Sequence, residues 1–66
     1  MNAHRQESYV PLGVAMNMED SAASLADDAA AYLAEPTEET RRDLLSSMRI
    51  MRHRLAKAFA ELGVDE

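Results

Sequence analysis

Residues 37–63 read TEETRRDLLSSMRIMRHRLAKAFAELG, and this stretch decides the fold. Leu44, Met48, Met51, Leu55, Ala58 and Leu62 recur at spacings of 4, 3, 4, 3 and 4, and Leu45 with Phe59 widens the stripe on one side. That alternation follows the 3.6-residue period of a helix with one apolar face. Thr37 is placed to accept from the free amides of the first turn, and Glu38 with Glu39 complements the positive helix end. Gly63 supplies the left-handed residue that closes a helix, with Val64 placed to pack back on the last turn. The result is a helix over 38–62, roughly 37 Å long at ~1.5 Å per residue.

Upstream, Glu35-Pro36 is a break, because proline pushes the residue before it out of the helical region. Before the break, Met18, Ala22, Leu25, Ala29 and Tyr32 repeat the 4, 3, 4, 3 pattern with Leu33 alongside. This predicts a first helix over about 17–34, with Asn17 as its cap and Ser21 as a rival cap one turn later. Alanines at 22, 23, 26, 29, 30, 31 and 34 keep its surface smooth enough for close approach of another helix. Residues 1–16 carry Pro11 and Gly13 within their one apolar patch, so they read as a flexible or extended arm. Residues 17–66 then form an all-α antiparallel helical hairpin, since a two- or three-residue connection makes neighbouring helices antiparallel.

In that hairpin Ala29 is expected beside Leu44 and Leu45, Leu25 beside Met48, Ala22 beside Met51 and Met18 beside Leu55. Phe59 and Leu62 lie beyond the end of the first helix and need another cover. A chain of 66 residues has a marginal core, and without cysteine it has neither disulfides nor thiolate zinc sites to supplement it. Fully burying one Leu, Met or Phe side chain contributes about 1.5–3 kcal/mol. The favoured solution is therefore a homo-oligomer, most simply two hairpins dimerising into a four-helix bundle. The self-association or partner interface is assigned to Met48, Met51, Leu55, Phe59 and Leu62.

Charge is segregated. The first helix carries Glu19, Asp20, Asp27 and Asp28 without a basic residue, and the second carries Arg41, Arg42, Arg49, Arg52, Arg54 and Lys57 with nothing acidic between Asp43 and Glu61. Opposite fields favour the antiparallel pairing, with Glu19 expected near Arg52 or Arg54, although exposed pairs contribute only ~0–1 kcal/mol each. Arg42, Arg49, His53 and Lys57 form a basic ridge away from the apolar stripe, a candidate anion or nucleic-acid contact. A net charge of −5 opposes general phosphate binding, and no aromatic residue sits on the ridge for base stacking.

Catalytic signals are weak. Ser46 and Ser47 have no histidine three or four residues away, Asp27-Asp28 and Glu38-Glu39 point to different sides of a helix, and Gly13 and Gly63 make no phosphate loop. Neither a cofactor nor a metal is expected, and the chain reads as non-enzymatic. No stretch approaches the ~20 apolar residues of a membrane span, and no signal-peptide pattern opens the chain, so the default location is cytoplasmic. The expected function is a small protein–protein interaction module (an adaptor, chaperone, or regulator or inhibitor) that presents an amphipathic helix to another protein. A nucleic-acid-binding hairpin dimer using the basic ridge is the alternative.

Overall fold

The computed structural model describes residues 10–64. Two helices pack against each other, α1 over Leu12–Ala34 and α2 over Glu38–Leu62, joined by Glu35, Pro36 and Thr37. The architecture is an all-α antiparallel hairpin.

The start of α1 corrects the sequence reading. The helix opens at Leu12 rather than near residue 17, so the segment from Leu12 to Met16 is helical and not an extended arm. Residues 1–9 of that arm lie outside the described residues. Pro11 was read as a breaker, but a proline disrupts only a helix that has already begun. At the cap position its missing amide costs nothing and its φ of −57° suits the entry. The Pro11 carbonyl accepts from the amides of Val14 at 3.0 Å and Ala15 at 3.1 Å, which closes the first turn. Asn17 is therefore inside the helix and caps nothing, and α1 has no side-chain cap. The five added residues carry α1 far enough to meet the level of Ala58 and Leu62.

Gly13 lies in this first turn with ordinary helical geometry, and nothing stands within 4 Å of the position a Cβ would take. Glycine loses more backbone entropy on folding than alanine does. Gly13→Ala should therefore stabilise the protein by about 0.5–1 kcal/mol, raising the melting temperature by several degrees. A lowered melting temperature would mean that residue 13 is not helical.

The other caps follow the expectation. Thr37 Oγ1 accepts from the Thr40 amide at 3.2 Å, and the Thr37 amide donates to Thr40 Oγ1 at 2.9 Å. This is a reciprocal capping box in which a threonine hydroxyl takes the place usually held by a carboxylate or amide. Thr40 Oγ1 also donates to the Glu35 carbonyl at 2.8 Å, tying the connection to the helix it introduces. At the far end Gly63 is left-handed at φ 71°, and the Val64 amide reaches the Phe59 carbonyl at 2.9 Å. That bond and the one from Gly63 to Ala60 satisfy carbonyls the helix would otherwise leave free.

The core is thin. Among the described residues only Ala58, 8% exposed, and Ser21, 4% exposed, are buried, and no large side chain is fully enclosed. Half-buried residues mark the seam: Val14, Met18, Leu25, Asp28 and Tyr32 on α1, and Leu44, Ser47, Met51, Arg54 and Leu62 on α2.

Candidate association surface

The seam on α2 runs through Leu44, Ser47, Met51, Arg54, Ala58 and Leu62. It shares Leu44, Met51, Ala58 and Leu62 with the apolar stripe, but Ser47 and Arg54 replace Met48 and Leu55. The helix is turned about its axis so that two polar residues face α1. Both find partners there. Ser47 Oγ donates to the Asp28 carboxylate, and Arg54 Nη1 donates to Ser21 Oγ at 2.6 Å. A hydrogen bond involving a charged group contributes about 1.5–3 kcal/mol where it is shielded from water. No buried side-chain polar atom among the described residues lacks a partner.

These two bonds also set the register. Ser47 with Asp28 and Arg54 with Ser21 are both pairs whose numbers total 75, so residues with that total stand at one level. The expected pairs, such as Leu25 with Met48, totalled 73. The first helix therefore sits about two residues further along α2 than the sequence pairing placed it. Arg54 does cross to α1, but its partner there is the Ser21 hydroxyl.

Turning α2 this way leaves its most apolar flank outside. Met48 is 49% exposed and Leu55 39% exposed, while Phe59 and Leu45 are half-buried beside them. Together with Leu25, Met51, Arg52 and Ala56, three of these residues, Met48, Leu55 and Phe59, line an open groove of about 350 Å³ along the hairpin. A neighbouring hollow of about 360 Å³ continues the surface through Leu45, Met48, Arg49 and Arg52. On a helix of 3.6 residues per turn, Ala15, Ala22, Ala26, Ala29 and Leu33 occupy the same side of α1. Leu33 is 81% exposed there. One face of the hairpin is thus apolar along both helices, rimmed on α2 by Arg41, Arg49 and Arg52, all exposed. The opposite face carries Asn17, Asp20 and Asp27 on α1 with Ile50, Lys57 and Glu61 on α2.

Of the five residues assigned to an interface from sequence, Met48 and Leu55 lie on the open flank and Phe59 at its inner edge. Met51 and Leu62 are half-buried on the seam. Leu25, Leu45 and Arg52 belong to the surface although the sequence assignment left them out. The wide stripe was the signal for Leu45, and the expected pairing of Leu25 with Met48 was the signal for Leu25. Compared with known proteins, the chain matches no family model, no curated sequence and no solved structure. The surface itself is therefore the basis for a functional reading.

The basic ridge is solvent-facing throughout, with Arg42, Arg49, His53 and Lys57 all exposed. Lys57 also borders a hollow of about 330 Å³ with Arg54, Asn17 and Glu61, between the start of α1 and the end of α2. Among the described residues no group of three His, Cys, Asp or Glu is placed to hold a metal ion. Among the described residues no helix is long and apolar enough to cross a membrane.

Proposed function

We propose that this protein is a small non-enzymatic interaction module that works by associating through the apolar flank of its second helix. The observation that carries this reading is the rotation of α2. It commits Ser47 and Arg54 to the hairpin and leaves Met48 and Leu55 in water. Monomeric proteins seldom keep a continuous apolar face of this kind exposed unless something docks there. Two hairpins joined by these faces close into a four-helix bundle, the simplest arrangement that removes the flank from water. An adaptor, a chaperone, and a regulator or inhibitor would all use such a surface. Glutamate at positions 48 and 55 should abolish association while leaving the hairpin helical, and retained association would contradict the reading.

Exposure of the whole ridge supports a second reading, contact with a nucleic-acid backbone through Arg42, Arg49, His53 and Lys57. If the ridge grips phosphates, binding to duplex RNA or DNA should weaken steeply as salt rises, and Arg49→Ala should flatten that slope by about one unit. Absence of binding at low salt would remove this second reading and leave the first intact.

A further inference from the structure

We infer that the occupant of the flank is a second copy of this chain, and that each copy lays its α2 along the other copy's α1. This rests on the association reading above and adds the partner and its pairing. The first support is size. The flank of α1 is built from alanines, Ala22, Ala26 and Ala29, whereas that of α2 is built from Met48, Leu55 and Phe59. A face of large side chains packs densely against small ones, and each copy offers one of each.

The second support is charge. On α1 the side that holds Ala15, Ala22 and Ala26 carries Glu19 and no basic residue, and the exposed rim of the α2 flank carries Arg41, Arg49 and Arg52. Face-to-face hairpins can be related by a two-fold axis along the helices or by one across them. The axis across the helices sets α2 against α2, which gathers Arg49 and Arg52 of both copies at the centre and stacks alanine on alanine. Like charges brought together at an interface are unfavourable. The axis along the helices sets the arginines of each α2 flank beside the α1 side that carries Glu19 and no basic residue, and it makes all neighbouring helices antiparallel. It also keeps the level rule of the hairpin, which puts Met48 of one copy level with residue 27 of the other and so against the neighbouring flank residue, Ala26. The contact is isologous and closes at two copies.

The chain has no cysteine, so introduced thiols report without background. Full-length chains carrying Ala26→Cys, mixed in equal amounts with chains carrying Met48→Cys, should cross-link through a short bis-maleimide in up to about half of the sample, the share that random pairing gives to mixed pairs. Ala22→Cys alone, near the middle of α1, should cross-link no more than the cysteine-free chain. Cross-linking of Ala22→Cys with itself, and none in the mixture, would overturn the pairing while leaving association in place. No cross-link in either, with the unmodified chain sedimenting as one copy, would overturn the second copy as occupant. The association reading would then survive only if Met48→Glu abolished binding to a different purified protein while Ile50→Glu spared it.

Discussion

With both Met48 and Leu55 replaced by glutamate, the protein is expected to sediment as a single chain and to remain helical. Both side chains are exposed in the hairpin, 49% and 39%, so neither substitution disturbs the contact between α1 and α2. Full burial of such a side chain contributes about 1.5–3 kcal/mol, and about half of that remains for association to supply to side chains already half-covered in the hairpin. A two-fold pair carries each residue twice, so four side chains are lost and association should weaken by about 3–6 kcal/mol, a factor of at least ~100. Glutamate is a good helix former, and at position 48 it stands four residues before Arg52, a favourable pair. Light scattering with circular dichroism on the same sample separates the two effects. Ile50→Glu is the control, because Ile50 is 50% exposed on the other face and its replacement should leave the mass unchanged. If all variants keep the mass of the parent chain, the flank does not hold an assembly. If the double variant unfolds, the flank belongs to the core of the single chain.

The second large effect is expected at Ala58, the most enclosed apolar residue described, 8% exposed. It faces α1 near Val14 and Met18. Ala58→Glu forces a longer, charged side chain into the seam between the helices, combining overpacking with desolvation of a carboxylate. A loss of about 3 kcal/mol or more is expected, against a total of ~5–15 kcal/mol for a small domain. That corresponds to a fall in melting temperature of more than about 10 °C. Ala60→Glu, two residues on and exposed, should change stability by no more than about 0.5 kcal/mol. Equal effects at the two positions would contradict the packing face assigned to α2.

The contrast between Ala58 and Met48 shows where sequence reading succeeded and where it stopped. The helical period, the break at Pro36, the Thr37 cap and the Gly63 stop are local chemistry, and each was visible within a few residues. The start of α1 was local too, but Pro11 and Gly13 point either way. Both weaken an established helix, and a proline at the entry position starts one. Rotation of α2 was not local. Apolar pattern alone centres the stripe on Met48 and Leu55, because it assigns no value to polar side chains that find partners. Ser21 and Asp28 fall on the face of α1 that meets α2, at the levels of Arg54 and Ser47. A paired hydroxyl and guanidinium can occupy a seam that an unpaired one could not. The candidate surface was thus half legible: the residue types were evident, and the side on which they remain exposed depended on a match between two helices.

Sedimentation equilibrium of the unmodified full chain at micromolar concentration tests most directly whether the exposed flank is a contact surface. A mass of twice the 7.3 kDa chain is expected, falling toward one copy on dilution. A constant 7.3 kDa species that melts cooperatively at a temperature independent of concentration would contradict it.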